Sequence, residues 1–199
     1  MNLNRLISRM ERTAETIRHL VEGVSEDQAS WRPTPDDWSA LDVLAHLAYE
    51  EVHDFRDRLE MVLHRPAAPW PEADPARGVT QDATSRPLGE ILDTFLAARR
   101  DSLDWLAGLD APDWDAEHQA PFGPIRAGDV MAAWAAHDLL HLRQLTELHW
   151  AYLAREVDPY ELRYAGPWEG RNNCGARGGA DQCAESDGSA EPGRATWRR

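Results

Sequence analysis

Two histidines lie four residues apart in the segment AAHDLLHLRQL, at positions 137 and 141. Residues at this spacing share one face of an α-helix, one turn apart. The face is otherwise mainly apolar, and its members are Val130, Trp134, His137, His141, Leu145, Leu148 and Tyr152. We therefore expect both imidazoles to point into a core, where an unpaired polar group costs about 1–3 kcal/mol. One divalent metal ion would satisfy both rings, because an i, i+4 histidine pair converges on a single ion.

A third ligand would have to come from another helix, and His46 in the segment LAHLAYEE is the candidate. It lies on a polar line with Asp42, Glu50 and His53, on a segment whose other face is apolar. For these three companions, a solvent-exposed helix face explains the pattern equally well. His46 itself lies closer to the apolar boundary, between two leucines. If a metal is bound, Glu50 and His53 are also candidate proton acceptors.

The pattern HDLLH invites comparison with the HExxH helix of zinc peptidases, in which the glutamate is the general base. Asp138 takes that place with a side chain one methylene shorter, and no clear third ligand follows, although Glu161 lies 20 residues beyond His141. We therefore disfavour a peptidase. The remaining histidines fall on arginine-rich faces or in loops and are interpreted as surface residues; they are His19, His64, His118 and His149.

The overall charge restricts the classes of partner. The 199 residues include 35 acidic and 21 basic ones, for a formal net charge of −14. This balance argues against nucleic acid and against an anionic membrane surface, and no arginine cluster that would form a basic site is evident. The segment MNLNRLISRM lacks the apolar region of a signal peptide, and no apolar run is long enough to span a bilayer. We expect a cytoplasmic protein.

Helical periodicity predicts four long amphipathic segments, at about 3–24, 39–63, 85–108 and 129–154. Ser39 and Asp42 form a capping box at the start of the second segment, and Pro87 is expected in the first turn of the third. No convincing alternating strand pattern is present. The economical fold is an all-α four-helix bundle over residues 1–168. Residues 169–199 are polar and glycine-rich and are predicted to form a disordered tail, which holds both cysteines, Cys174 and Cys183.

Two short motifs together resemble the DinB/YfiT-like superfamily. The first is WSALDVLAHL, with Trp38, Ser39, His46 and Leu47 at the matching positions; the second is HDLLHLRQ, with His137, Asp138, His141 and Gln144. The segment DPYELRYAGPW also looks like a domain end in that group, so the resemblance covers about residues 1–168. It implies a DinB-like four-helix bundle whose metal ligands are His46, His137 and His141. Arg126 departs from the family pattern, since a Ser or Thr would cap the fourth helix there.

The resemblance also implies an activity. Members of the superfamily include transferases that use a low-molecular-weight thiol such as mycothiol, bacillithiol or glutathione, and a maleylpyruvate isomerase. The leading hypothesis is therefore a metal-dependent thiol transferase, with a metal-dependent hydrolase and a non-catalytic metal-binding protein as alternatives. The cofactor would be a divalent transition metal, with zinc or nickel favoured and iron open. The partners would be a small-molecule substrate and a thiol, and a homodimer is left open because Trp70, Trp114 and Trp150 add apolar surface.

Overall fold

Four long helical segments form the protein, for which a computed structural model describes residues 1–72, 78–79 and 85–168. The helices are α1 (Leu3–Val21), α2 (Glu26–Ser30), α3 (Ala40–Glu50), α4 (Arg56–His64), α5 (Leu88–Ala107) and α6 (Ala127–Glu156). A π-helix (Glu51–Phe55) joins α3 to α4, and a 3-10 helix (Leu162–Ala165) follows α6. The predicted all-α four-helix bundle is confirmed. The predicted tail, with its two cysteines, lies outside the described residues.

The bundle is arranged so that α1 and the α3–α4 segment both pack against α5 and α6. Apolar side chains fill two clusters along its length. One cluster is centred on Ile17, Leu44 and Phe95, and the other on Met10 and Trp134, all of them essentially inaccessible to water. Burial of this apolar surface is the main favourable term in folding, at roughly 25 cal/mol per Å².

The helix termini follow the capping signals in the sequence, with one shift. At the start of α3, the Ser39 hydroxyl accepts from the Asp42 N–H and the Asp42 carboxylate accepts from the Ser39 N–H, so the predicted capping box is confirmed. Helix α5 begins at Leu88 rather than near 85, because Pro87 occupies the N-cap instead of the first turn. At Arg126, where no Ser or Thr caps α6, the carboxylate of Asp129 accepts from the Arg126 N–H.

The second segment is not the continuous α-helix that periodicity predicted. It changes to a π-helix over Glu51–Phe55 before α4 begins. The wider turn of a π-helix adds a residue to the repeat and rotates the following side chains, and such turns occur frequently at functional sites. Here Glu51 is 2% exposed, although the sequence places it among polar residues.

A two-stranded hairpin corrects the expectation that no strand is present. Strand β1 (Glu117–Ala120) pairs antiparallel with β2 (Gly123–Arg126) in the stretch that was expected to be a loop. Along β1, exposed and buried positions alternate, but the buried ones are His118 and Ala120, which are poor markers of a strand face. Because neither buried residue is strongly apolar, the alternation of burial is not visible as an alternation of apolar and polar residues in the sequence. Gly123 has a φ of +118° next to the turn, a conformation that glycine tolerates best.

Of the three tryptophans considered for a dimer face, two pack against the core and the third stacks on another tryptophan of the chain. Trp70 and Trp114 pack against the apolar cluster around Trp134, and Trp150 stacks on Trp168 with ring centroids 4.5 Å apart. None of the described helices is long and apolar enough to cross a membrane.

Candidate metal centre

Three imidazoles converge between α3 and α6. The Nε2 atom of His137 lies 3.2 Å from Nε2 of His46 and 3.0 Å from Nε2 of His141. His46 and His141 are buried and His137 is partly buried. The structure therefore brings together all three predicted ligands, two from one helix face and one from the facing helix. Within the described ranges this is the one group of three or more histidine, cysteine or acidic side chains with such spacing.

The donor set fits a transition metal ion. The Nδ1–H of His141 donates to Oε1 of Gln144 at 2.8 Å, which leaves the lone pair of Nε2 directed at the other rings. Neighbouring nitrogen lone pairs repel each other unless a cation or a proton lies between them. Zinc–nitrogen bonds of about 2.0–2.1 Å at tetrahedral angles separate ligand nitrogens by about 3.3 Å, close to the spacing here. The residues present therefore suit a divalent ion held by imidazole.

Aromatic side chains pack around the three rings. The Trp38 ring centroid lies 4.9 Å from that of His46 and is stacked at 6.3 Å on His141. On the other side, Phe55 lies 4.8 Å from the ring of His137. These contacts hold the imidazoles in place and keep water from their faces. Trp38 comes from the loop before α3, and Phe55 from the end of the π-helix.

The environment keeps the imidazoles of His137 and His141 neutral. Burial, together with the neighbouring rings of His141 and His46 and the charge of Arg99, lowers the pKa of His137 to about 2. Burial also lowers the pKa of His141, while its bond to Gln144 opposes that effect. Since a metal ligand must be the deprotonated ring, the folded chain presents its histidines in the form that binds.

We predict that the metal-free protein loses stability as the pH falls below 6.5. An unfolded histidine titrates near 6.5, whereas His137 in the folded chain has a pKa of about 2. Between these values the unfolded chain binds a proton that the folded chain does not. The free energy of unfolding therefore falls by up to about 1.4 kcal/mol per pH unit for this group. Urea unfolding in EDTA, between about pH 7.5 and 5, measures the slope.

The variant His137→Gln is the control, because glutamine takes up no proton in this range. Its free energy of unfolding should depend less steeply on pH than that of the wild type. Parallel curves for the two proteins would contradict the low pKa of His137.

A carboxylate with a raised pKa lies next to the site. Oε1 of Glu50 is 3.8 Å from Nδ1 of His46. Burial and the neighbouring charge of Asp54 raise the pKa of Glu50 to about 8, and Arg58 opposes the rise. Asp54 in turn bonds to Arg58, whose guanidinium lies over the Trp70 ring. Glu50 therefore carries a proton near neutral pH and is suited to exchange it with a bound group.

The two other members of the polar line, Asp42 and His53, lie in different environments. Asp42 is fully buried and also binds Arg32, so the solvent-exposed interpretation is wrong for it; it caps α3 and does not reach the imidazoles. His53 is exposed, and its ring lies tilted against that of Tyr49, with ring centroids 4.7 Å apart. Neither residue belongs to the group of three rings. Of the predicted proton acceptors, only Glu50 lies against a ligand.

One of the four histidines interpreted as surface residues is buried. His118 is 3% exposed, and its ring lies 5.5 Å from the Trp70 ring. His149 is half-buried, with its Nδ1 atom 3.2 Å from Nε2 of Gln28. Neither ring belongs to the group of three.

Sequence reasoning missed a buried ionic group next to the histidines. Arg99 on α5 binds the carboxylates of Glu51 and Asp138, and the three residues are 1–2% exposed. The indole N–H of Trp134 donates to Glu51. A signal was present, since Arg99 stands four residues after Phe95 and seven before Leu106, where the core stripe of α5 calls for an apolar residue. The two carboxylates raise the pKa of Arg99 although burial opposes this.

Gly78 packs closely against α3 near His46. A Cβ added to Gly78 would lie 2.6 Å from Cβ of Tyr49 and 3.1 Å from Cα of His46. Only glycine permits this approach.

An open groove of about 870 Å³ lies between α1 and α6, away from the histidines. Arg5, Arg9 and Arg12 line its α1 side, and alanines of α6 line the other. The expectation that no arginine cluster exists is corrected, since the helix brings these three residues onto one face. That the chain binds no nucleic acid stays a prediction.

Comparison with known proteins agrees with the fold. The model of the DinB superfamily matches residues 9–145. No curated protein matches the sequence. Among solved structures, YfiT from Bacillus subtilis, described as a probable metal-dependent hydrolase with an unusual four-helix bundle topology, is similar with a TM-score of 0.65. The two chains are 16% identical, and the match covers 77% of this chain and 86% of YfiT, a likeness that shows the fold.

Proposed function

Since this chain belongs to the DinB superfamily and three of its imidazoles converge at one point, we propose that it is a metal-dependent transferase that uses a low-molecular-weight thiol. The observation that carries the proposal is the convergence of the Nε2 atoms of His46, His137 and His141. Three protein ligands leave at least one coordination position for water or substrate, which is the pattern of a catalytic site. Structural sites are usually closed by a fourth protein ligand.

The charge of the site supports a thiol as the nucleophile. The three ligands are neutral, so an ion bound there would keep its full positive charge and favour an anionic partner. When bound, a divalent transition metal such as zinc, nickel or iron lowers the pKa of a coordinating thiol or water. No cysteine occurs in residues 1–168, so the described residues offer no sulfur nucleophile, and the proposal takes the sulfur from a thiol in solution. An electrophilic small molecule would accept the sulfur.

The chain's own side chains would orient and shield the reacting groups. Gln144 fixes the tautomer and the rotation of the His141 ring through the bond to Nδ1. Trp38 and Phe55 limit the access of water to the rings. Glu50 can hold or release a proton beside His46.

A second candidate function is hydrolysis, and Glu50 is the observation that favours it. A carboxyl group with a pKa near neutral, next to a metal ligand, suits a general acid or base for an attacking water. The description of YfiT as a probable metal-dependent hydrolase points in the same direction. The third alternative, a metal-binding protein without turnover, requires neither Glu50 nor an open coordination position.

We predict that untagged wild-type protein contains about one equivalent of a transition metal and that His137→Ala contains none. Elemental analysis by mass spectrometry measures this. His53→Ala is the control, because His53 lies on the same helical segment as His46 but is exposed and outside the group of three. It should retain the metal.

Turnover then separates the alternatives. The transferase should consume glutathione, mycothiol or bacillithiol in step with an electrophilic test substrate, and His137→Ala should abolish the reaction. Turnover of ester or amide substrates without thiol, reduced in Glu50→Gln, would favour the hydrolase. Stoichiometric metal without either activity would favour a non-catalytic protein. Absence of metal from the wild type, even after reloading and desalting, would refute all three.

A further inference from the structure

Arg99 occupies the centre of the bundle, and all five of its N–H donors are used. Its Nε and Nη2 donate to the Glu51 carboxylate at 2.7 and 2.8 Å. Its Nη1 and Nη2 donate to the Asp138 carboxylate, both at 2.7 Å. The fifth bond joins Nη1 to the carbonyl oxygen of Met10 at 3.2 Å. Each carboxylate is thus held by two parallel bonds, the geometry that fixes orientation most tightly.

These bonds connect every long segment of the bundle. Arg99 comes from α5, Met10 from α1, Glu51 from the π-helix and Asp138 from α6. We call Arg99, Glu51 and Asp138 the arginine clamp.

The clamp residues adjoin the metal-ligand candidates in the chain. Asp138 directly follows His137, and successive residues of an α-helix point about 100° apart. Holding the Asp138 side chain on Arg99 therefore fixes the direction of His137 and, one turn later, of His141. Glu51 is the first residue of the π-helix, directly after the helix that carries His46. The clamp sets the rotation of both elements that meet at the site.

Stability alone does not account for the clamp. It buries one cation and two anions, and burying ions costs desolvation energy that their mutual attraction only partly offsets. Replacing such a group by neutral or apolar residues of similar size is often neutral or stabilising. Its place beside the histidines suggests a role in their alignment.

We propose that the arginine clamp is a positioning device that holds α6 and α3 in the rotation at which the rings of His137 and His46 meet. The proposal rests on the proposed function for what the rings bind, but the alignment itself is a property of the metal-free chain. The five bonds of Arg99 reach none of the three imidazoles, so it acts through Asp138 and Glu51.

The test uses a triple variant with a charge-free clamp, Glu51→Gln/Arg99→Met/Asp138→Asn. Because all three side chains become neutral, no unpaired charge stays buried. Circular dichroism and urea unfolding establish that this variant folds. We expect it to bind Zn²⁺ about 10–100-fold more weakly than the wild type in competition with a chromophoric chelator. In metal-free protein, we expect the nuclear Overhauser contact between the His46 and His137 rings to weaken or disappear.

Two further variants sharpen the result. Tyr152→Phe removes a different polar bond of α6, from Tyr152 to Asp27, and should leave Zn²⁺ affinity within about twofold. Arg99→Lys keeps the charge but lacks the planar fork that spans both carboxylates. If positioning is the role of Arg99, the lysine variant should bind Zn²⁺ as weakly as the charge-free one.

Several outcomes would overturn the proposal. One is a folded charge-free variant with wild-type Zn²⁺ affinity and wild-type ring contacts. Another is full affinity in Arg99→Lys, which would assign the effect to charge rather than to the fork. If the wild type itself bound no Zn²⁺, the proposed function would fail. The ring contacts in the metal-free proteins would still decide whether the clamp aligns the helices.

Discussion

Replacing Arg99 alone by methionine is expected to lower the free energy of unfolding by about 3–5 kcal/mol. The change leaves the carboxylates of Glu51 and Asp138 close together, 2% and 1% exposed, with no cation between them. An uncompensated buried charge is one of the few single changes that costs this much, and here there are two. Urea unfolding at neutral pH in EDTA measures the loss without interference from metal.

An exposed arginine in an ion pair is the control for this experiment. Arg143 bonds to Glu147 at 2.7 Å on the surface of α6, with its side chain 60% exposed. Arg143→Met should change the free energy of unfolding by no more than about 1 kcal/mol, since surface pairs contribute little. A loss of similar size in both variants would show that the bundle does not isolate the clamp from water.

The free energies of unfolding of Arg99→Met and of the charge-free triple variant should be compared. If the single change is severe and the triple change is mild, the cost belongs to the unpaired carboxylates and not to the missing guanidinium. The two variants together therefore separate stability from alignment. Neither measurement depends on knowing the substrate.

The sequence was sufficient to find the histidine pair of α6 because its pattern is local. His137 and His141 lie one turn apart on an apolar stripe, and helical periodicity alone predicts that they point inward. The position of His46 on a facing helix is a long-range property. It became predictable through the resemblance of the two motifs to a family, and the structure places its Nε2 beside that of His137.

The clamp could not be derived from periodicity in the same way. Glu51 becomes buried because the helix changes to a π-turn there, and nothing in the local sequence specifies that extra residue. Arg99 interrupts an apolar stripe, which is visible, but its partners come from two other segments 48 and 39 residues away in the chain. A buried charge is recognisable in a sequence, whereas its partners are set by the packing of the bundle.

The second large effect is expected from the metal. Zn²⁺ at about 100 times its dissociation constant should raise the free energy of unfolding by about 2.7 kcal/mol, because it binds the folded chain preferentially. For a domain of this size, that corresponds to a rise in melting temperature of about 5–11 °C. Thermal unfolding with Zn²⁺ and with EDTA measures the difference. The effect requires all three rings at once, so it tests the contact between α3 and α6 directly.

His46→Ala is the decisive variant, because it leaves the pair of His137 and His141 intact on α6. If His46 is a ligand, the affinity should fall by about a hundredfold, and at the same Zn²⁺ concentration the stabilisation should drop to about 0.4 kcal/mol. His53→Ala, seven residues further along the same segment and exposed, should retain the full shift. An undiminished shift in His46→Ala would mean that the ion is held by α6 alone. The proximity of the three Nε2 atoms would then reflect packing, and the proposed open, three-ligand site would lose its basis.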